Sequence, residues 1–359
     1  MSAKYQAWRV YPKASTHDEK SVEILDNLAL EEVEKPIPGP GQILVRIHAA
    51  ALNFRDLLIT AFSPKYPVPS IPGLSPCSDG AGSIEAVGPS KNNNWKIGDE
   101  VIFRVTNSWD DGDVSNFKGN GLGSGDIHGT LSQYLLLDES WLVRKPAHLT
   151  WEQAASIAGA GGTAIQALFH NGISNGLDLS GKTVLTQGTG GSSMFCAQFA
   201  VAAGARVIGT TSSDTKSELL KSLGVHEVVN YKTHPSWADE VVRLTDGKGV
   251  DLVIDVGGSA TFEQSLKAAR FGGTVAAVGF LTEPRPSDPG LIHAIIFGAK
   301  TIRGQMAASL EMYHELVELM EKHRIVPVVG QVFEWTEAKD AFEALMRQSV
   351  SGKIVIKVV

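Results

Sequence analysis

The chain has little cysteine, no long apolar run and no excess of positive charge. Its 359 residues include only two cysteines, Cys77 and Cys196, which excludes a disulfide framework and a four-thiolate zinc site. No segment approaches the roughly 20 apolar residues that a membrane span requires, and the start MSAKYQAWRVYPKAS lacks the apolar core of a signal peptide. We therefore expect a cytoplasmic or similarly reducing location and no membrane partner.

Basic residues are also too few and too scattered to form a positively charged surface that would bind nucleic acid. Lys and Arg number 32 against 39 Asp and Glu, giving a net charge of −7, so a nucleic-acid partner is not expected. A phosphate-containing cofactor must then be held by local geometry. The 43% hydrophobic and 20% charged composition is that of a soluble globular protein, and the length favours about two domains.

The chain divides into two parts with different sequence patterns. Up to about residue 150, short β-type runs such as ILVRIHAAAL and GSIEAVG lie between Gly- and Pro-rich turns, which predicts an antiparallel, barrel-like domain. From Trp151 onward, six apolar strands alternate with helical patterns, which predicts a doubly wound parallel sheet of dinucleotide-binding type. A helix, LEMYHELVELMEKH, and further β-like pieces follow and return to the first domain. The predicted boundaries are 1–155, 156–304 and 305–359.

The stretch QGTGGSS, residues 187–193, lies between an apolar strand and a helical pattern. It resembles the turn G-x-G-x-x-G with serine in place of the last glycine, and the strand–turn–helix context raises its weight above that of a lone motif. Helix N-terminal amides bind phosphate in such turns. We predict cofactor contacts from Gly188, Thr189, Gly190, Gly191, Ser192 and Ser193, with the two serines also able to cap the helix.

The next strand indicates which nicotinamide is used. It ends IGTTSS, residues 208–213, without the acidic residue that usually holds the ribose hydroxyls of NAD. Thr211, Ser212 and Lys216 instead suit a 2′-phosphate, so NADP(H) is favoured over NAD(H). Asp214 is interpreted as a cap of the following helix, or Thr215 with Glu218 as its capping box.

Segments spread over nearly the whole chain resemble the medium-chain dehydrogenase/reductase superfamily. They include PGPGQILVRIHAAALNFRDL, SDGAGSIEAVG, KIGDEVI, AASIAGAGGTAIQAL and SGKIVIKV. Within that superfamily the chain is similar to the zinc-independent, quinone-oxidoreductase-like branch. The resemblance implies a GroES-like β-barrel catalytic domain joined to a Rossmann domain with a doubly wound, parallel six-stranded sheet, an α/β fold. It also implies a homodimer.

The resemblance further identifies positions where zinc alcohol dehydrogenases carry catalytic-zinc ligands. Those positions correspond here to Asn53, Ser78 and Gly159, none of which is an ordinary zinc ligand. The lobe that would hold structural zinc, residues 106–129, contains no cysteine. We therefore expect no zinc.

Without a Lewis acid, acceptors whose developing charge needs only one or two hydrogen bonds are favoured. We expect NADPH-dependent reduction of an activated double bond or a quinone in a small-molecule substrate. Asn53 and Tyr66 are the candidate catalytic donors, although Asn53 could simply cap a helix and Tyr66 could pack beside Pro67. By resemblance, Thr163, Tyr231, Phe280 and Lys353 contact or flank the cofactor. The alternatives are a zinc-independent alcohol dehydrogenase or ketoreductase, and a non-catalytic cofactor-binding protein.

Overall fold

The computed structural model describes residues 3–89, 94–174, 176–283, 285–286 and 289–358. The chain folds into two compact units. Unit 1 combines residues 1–162 with residues 308–359, and unit 2 comprises residues 163–307. The N-terminal and C-terminal parts of the chain therefore share one unit.

The elements follow one another along the chain in three groups. Up to residue 169 they are β1 (Lys4–Val10), β2 (Leu28–Glu34), β3 (Gln42–Ala51), α1 (Phe54–Thr60), β4 (Asp79–Val87), β5 (Glu100–Phe103), β6 (Tyr134–Asp138), β7 (Leu142–Arg144), α2 (Trp151–Ala155) and α3 (Ala158–Phe169). The middle group is β8 (Thr183–Gln187), α4 (Gly191–Ala202), β9 (Arg206–Thr211), α5 (Asp214–Ser222), β10 (Glu227–Asn230), α6 (Trp237–Leu244), β11 (Val250–Asp255), α7 (Phe262–Ala268), β12 (Ala269–Ala277), α8 (Leu291–Phe297) and β13 (Thr301–Gly304). The last group is α9 (Leu310–His323), β14 (Val329–Phe333), α10 (Ala338–Met346) and β15 (Lys353–Lys357).

Unit 1 is built on a mainly antiparallel sheet. Among its described residues the strand order is β14-β15-β3-β4-β5-β7, with β6 also paired to β3, and β1 and β2 form a separate antiparallel pair. The C-terminal strand β15 pairs antiparallel with β3, for example Ile356 with Ala50. Alternating apolar residues of these strands, such as Ile43, Val45 and Ile47, are buried in one core, as a half-buried strand pattern requires.

Unit 2 contains the predicted doubly wound sheet. Its described residues form a six-stranded sheet in the order β10-β9-β8-β11-β12-β13, and each neighbouring pair is parallel. The order reverses between β8 and β11, the point at which such sheets bind dinucleotides outside the carboxyl ends of their strands. The predicted doubly wound, parallel six-stranded sheet is confirmed in unit 2, and unit 1 contains the predicted antiparallel strands.

Helix α3 is rich in small residues, so its sequence predicts a helix only weakly. The segment AGAGGTAIQALF forms the 12-residue helix α3, although three glycines lower its intrinsic helix propensity. Burial of its apolar side chains, including Ile165 and Leu168, outweighs that cost. No helix in the described ranges is both long and apolar enough to cross a membrane.

Candidate functional site

The glycine turn after β8 has two glycines in different conformations. Gly188 has φ +75°, a left-handed conformation that favours glycine. Gly190 has φ −74° and ψ 170° and is the N-cap of the 12-residue helix α4, a conformation open to any residue. An added Cβ at Gly190 meets no atom of the described residues within 4 Å. Neither the backbone nor the packing of the protein therefore demands glycine at 190.

Open space beside the first amides of a helix is what a bound pyrophosphate requires. The turn therefore fits the phosphate of a dinucleotide cofactor, because Gly190 leaves room for a close approach that a side chain would fill. Gly191 and Ser192 are the first two residues of α4, and their amides belong to the helix end that has no intrahelical acceptor. Thr189, within the turn, is only 7% exposed.

Ser193 replaces the last glycine of the motif and ties the helix to the strand. Its Oγ donates to the carbonyl of Gln187 at 2.6 Å, and the residue is buried. The expectation that Ser192 or Ser193 caps the helix is wrong, because Gly190 occupies the N-cap and the Ser193 hydroxyl is directed back to the strand. A small donor at this position fastens the turn where glycine would only allow close packing.

A buried carboxylate network supports the same turn and was missed by the sequence reasoning. Asp255, at the end of β11, accepts hydrogen bonds from Ser265 Oγ at 2.5 Å and Thr261 Oγ1 at 2.9 Å. The Gln187 amide donates to Ser265 Oγ at 2.7 Å and to Asp255 Oδ2 at 3.3 Å. The ends of β8 and β11 are thus joined at the switch point. The only sequence feature that could have indicated this network is the acidic residue at the end of a predicted strand.

The predicted 2′-phosphate residues lie at or after the carboxyl ends of the neighbouring strands β9 and β10. The Tyr231 amide donates to the Thr211 carbonyl at 2.9 Å, which places these two residues side by side. Thr211 is buried and its Oγ1 has no hydrogen-bond partner among the described residues, whereas Ser212 and Lys216 are partly exposed. Tyr231 is 39% exposed. Thr211 and Tyr231 therefore lie side by side at the carboxyl ends of β9 and β10, and Ser212 and Lys216 follow Thr211 in the chain.

The cap of the helix after β9 differs from both sequence interpretations. Ser213 is the N-cap of α5, and its side chain accepts the Lys216 amide. Asp214 and Thr215 are consequently the first two helical residues. The Asp214 carboxylate instead accepts from Asn230 Nδ2 at 3.2 Å. Ser213 caps the helix, rather than Asp214 or Thr215, because its backbone is extended, with ψ 159°, as an N-cap requires.

The remaining predicted cofactor residues are dispersed. Thr163 lies within α3 and is partly buried, and Phe280 follows β12 and is 57% exposed. Lys353 belongs to unit 1, where its ammonium donates to the Leu52 carbonyl at 2.8 Å, Asn53 Oδ1 at 2.7 Å and Asp79 Oδ2 at 3.0 Å. These contacts use all three of its protons.

The carboxylate of Asp79 is the centre of a polar cluster in unit 1. Besides Lys353, it receives Ser78 Oγ at 2.9 Å and the Gly159 amide at 2.8 Å, both on Oδ1. A Cβ added to Gly159 would lie 2.8 Å from Asp79 Oδ1 and 3.1 Å from Asn53 Nδ2, so this close approach requires glycine. The three positions that correspond to zinc ligands by resemblance, 53, 78 and 159, therefore do lie together.

These residues do not fit a zinc ion. The Asn53 carboxamide oxygen is bonded to an ammonium, the Ser78 hydroxyl donates to a carboxylate, and Gly159 offers no side chain, whereas zinc prefers thiolate, imidazole and carboxylate ligands. No group of three or more His, Cys, Asp or Glu side chains suited to a metal ion occurs in the part of the chain that the structure describes.

Tyr66 is linked to the start of α1 through Arg55. The guanidinium donates to Tyr66 Oη from Nη2 at 2.7 Å and from Nε at 3.1 Å, and to the Leu122 carbonyl at 2.9 Å. Because arginine only donates, the phenol must direct its own proton elsewhere. No residue in the described ranges accepts that proton within hydrogen-bond distance, so Tyr66 retains a donor.

Asp56 completes this cluster. Its Oδ2 accepts the Asn53 amide at 2.7 Å and its Oδ1 lies 3.7 Å from Arg55 Nη1. Burial raises the pKa of the Asp56 carboxyl to about 6, against the opposing effects of Arg55 and the Asn53 amide. The alternative interpretation of Asn53 as a helix cap is correct for its position, since Asn53 is the N-cap residue of α1, and its side chain is additionally engaged by Lys353.

The comparisons with known proteins agree with this architecture. The family model described as alcohol dehydrogenase GroES-like domain matches residues 39–147, and the one described as zinc-binding dehydrogenase matches residues 192–322. A zinc-type alcohol dehydrogenase-like protein of Schizosaccharomyces pombe is 37% identical over 345 residues, covering 95% of this chain and 98% of the relative. A quinone oxidoreductase of Pseudomonas aeruginosa is 31% identical over 328 residues, covering 89% and 92%.

A solved structure described as an NAD-dependent alcohol dehydrogenase superposes with a TM-score of 0.83 at 31% identity, covering 99% of this chain and 100% of that one. Both halves of the architecture, the GroES-like unit and the six-stranded parallel sheet, are thus shared with known dehydrogenases. The chain is an oxidoreductase that belongs to the medium-chain dehydrogenase/reductase superfamily.

Proposed function

We propose that this protein is a zinc-free, NADP(H)-dependent reductase of an activated carbon–carbon double bond or a quinone. The observation that carries the proposal is the ammonium of Lys353, which is held among the residues at the positions of the catalytic-zinc ligands. With that place taken by Lys353, transition-state charge must be stabilised by the chain's own hydrogen-bond donors. The relative named quinone oxidoreductase supports this choice of acceptor.

Two donors in unit 1 suit an enolate or a hydroquinone oxygen. Asn53 Nδ2 is buried without a hydrogen-bond partner among the described residues, and the Tyr66 hydroxyl directs its proton away from Arg55, which donates to the phenol oxygen. When bound, the nicotinamide supplies a hydride. Asn53 then holds the acceptor oxygen, and Tyr66 delivers the proton that completes the reduction.

The cofactor proposal rests on unit 2. Gly190 and the first amides of α4 would hold the pyrophosphate, and Ser212, Lys216 and Tyr231 would hold the 2′-phosphate. The buried Thr211 lies beside Tyr231. The partly exposed Lys216 supplies the positive charge that a dianionic group requires. The similarity to an NAD-dependent structure makes NADH the necessary comparison in every binding measurement.

A second candidate is a zinc-independent alcohol dehydrogenase or ketoreductase. The relative named zinc-type alcohol dehydrogenase-like protein favours it, and the same two donors could hold a carbonyl oxygen. An alkoxide concentrates its charge on one oxygen, however, and therefore demands more stabilisation than a delocalised enolate or hydroquinone.

A binding titration followed by an acceptor screen tests the proposal. NADPH and NADH are titrated by nucleotide fluorescence, and NADPH oxidation is then measured with 1,4-naphthoquinone, 2-cyclohexen-1-one, crotonyl-CoA, hexanal and cyclohexanone. We expect tighter binding of NADPH and turnover of one of the first three acceptors. Turnover confined to hexanal or cyclohexanone would favour the second candidate. Failure of both nucleotides to bind at millimolar concentration would contradict both enzymatic functions.

We also propose that the protein is a homodimer formed through the edge of the unit 2 sheet. Strand β13 is the last strand of that sheet, and the adjacent helix α8 exposes Ile292, Ile296 and Phe297 by 61%, 65% and 75%. Exposed apolar side chains beside an open strand edge favour pairing with a second copy. Sedimentation of the wild type and of Ile296→Glu tests this, with a dimer expected only for the wild type.

A further inference from the structure

The orientation of the Asn53 carboxamide follows from its neighbour. The ammonium of Lys353 lies 2.7 Å from the Asn53 side chain. An ammonium can only donate hydrogen bonds, so the atom that faces it must be the carboxamide oxygen. The Asn53 amide nitrogen is therefore fixed on the opposite side, without any choice between two flipped orientations.

The Asn53 amide nitrogen is a hydrogen-bond donor that is not satisfied by the described residues. Asn53 Nδ2 is buried and has no hydrogen-bond partner in the part of the chain that the structure describes, a state that is unfavourable because the group has lost its bonds to water. A Cβ at Gly159 would lie only 3.1 Å from this nitrogen, so a side chain at position 159 would crowd the amide. A buried donor that is held in one orientation without an acceptor is available to bind an acceptor atom of a ligand.

We propose that the Lys353–Asp79 ion pair is a positioning device that fixes and polarises the Asn53 carboxamide, so that Asn53 Nδ2 donates to the oxygen on which negative charge develops in the substrate. This inference rests on the proposed function, and it names the residues that take over the orientation of the substrate oxygen. Lys353 is a positioning residue rather than a catalytic one, because all three of its protons are already used.

The ion pair is built to stay fixed. The exposed fractions of the Lys353 and Asp79 side chains are 3% and 0%, and each charge is fully satisfied, Asp79 through Ser78 and Gly159 in addition to Lys353. A buried pair satisfied in this way is rigid even when its net contribution to stability is small.

The ammonium also strengthens the donor. A positive charge bonded to the carboxamide oxygen draws electron density from the amide nitrogen, and linked hydrogen bonds reinforce one another in a site with little water. Lys353 thereby acts on the substrate oxygen indirectly, by polarising the Asn53 carboxamide that donates to it.

The first variant, Asn53→Asp, separates donation from structure. Aspartate retains an acceptor for Lys353 and remains a good helix N-cap, but it has no N–H. We expect some loss of thermal stability, because a further carboxylate is buried beside Asp79, an NADPH dissociation constant unchanged within twofold, and a kcat for the best acceptor of the screen lower by about 100-fold or more. A kcat within twofold of the wild type would overturn the proposal.

The second comparison separates positioning from stability. Lys353→Met leaves Asp79 charged and unpaired, which is expected to destabilise the fold strongly. In the double variant Lys353→Met with Asp79→Asn, the neutral carboxamide that replaces the carboxylate can still accept from Ser78 and Gly159, so stability should recover. We expect kcat to remain at least about 10-fold low, because the Asn53 carboxamide is no longer fixed. Recovery of both stability and kcat would show that the pair is merely structural.

A readout independent of turnover completes the test. In protein labelled with ¹⁵N-asparagine, the side-chain amide signals of Asn53 are those lost in Asn53→Asp. We expect these signals to move in the double variant, and unchanged signals would overturn the proposed polarisation. This measurement needs no substrate, so it distinguishes failure of this inference from failure of the proposed function, which would appear as absence of wild-type turnover with every acceptor.

Discussion

Substitution of Gly190 by serine should move protein stability and cofactor affinity in opposite directions. The backbone at 190 is extended and starts a helix, and an added Cβ meets no atom within 4 Å in the described ranges. Serine at such an N-cap is worth a few tenths of a kcal/mol over glycine, and the less flexible unfolded chain adds about 0.4–1 kcal/mol. Gly190→Ser should therefore stabilise unit 2 by about 1 kcal/mol.

The same side chain should weaken the cofactor, because it fills the space through which a pyrophosphate approaches the first amides of α4. Loss of one hydrogen bond to a charged group costs about 1.5–3 kcal/mol, or more than a tenfold increase in the dissociation constant. Urea unfolding and NADPH titration measure the two effects on the same preparation.

The contrasting variant is Gly188→Ala. Its φ of +75° is unfavourable for alanine by about 1–2 kcal/mol, so this variant should lose stability. An NADPH dissociation constant for Gly190→Ser within twofold of the wild type, together with the expected gain in stability, would refute the placement of the pyrophosphate at this turn.

Three further predictions concern single residues. Lys216→Glu should weaken NADPH binding by at least about tenfold while changing NADH binding much less; equal losses in parallel titrations would contradict a 2′-phosphate contact. Tyr313→Phe should cost about 1–3 kcal/mol in urea unfolding, because the buried hydroxyl donates to the Ala158 carbonyl at 2.9 Å and accepts the Val105 amide at 3.1 Å; an unchanged midpoint would contradict those bonds. Asp56, with its pKa raised to about 6, favours folding while protonated, and this contribution is lost as pH rises through 6. From pH 5 to pH 7 the wild type should therefore lose about 1 kcal/mol relative to Asp56→Asn, and parallel stability curves for the two proteins would show that Asp56 does not titrate in this range.

The parts of the fold that the sequence predicted are those encoded by local patterns. The strand–helix alternation of unit 2 and the turn QGTGGSS are contiguous, so hydrophobic period and glycine placement suffice to recognise them. The cap of α5 was assigned one or two residues too late because Ser213, Asp214 and Thr215 are all good capping residues. Only the backbone conformation of Ser213, extended at ψ 159°, decides between them.

The candidate site in unit 1 depends on contacts that no local pattern contains. Lys353 is 300 residues from Asn53 and 274 from Asp79 in sequence. Resemblance indicated which positions correspond to the catalytic-zinc ligands, but no local pattern indicated that a lysine from the last strand would lie beside them. A carboxylate as deeply buried as Asp79 needs a positive partner. The pairing of β15 with β3 brings that partner in, so the fold that returns the C-terminal segment to unit 1 also supplies the charge on which the proposed chemistry depends.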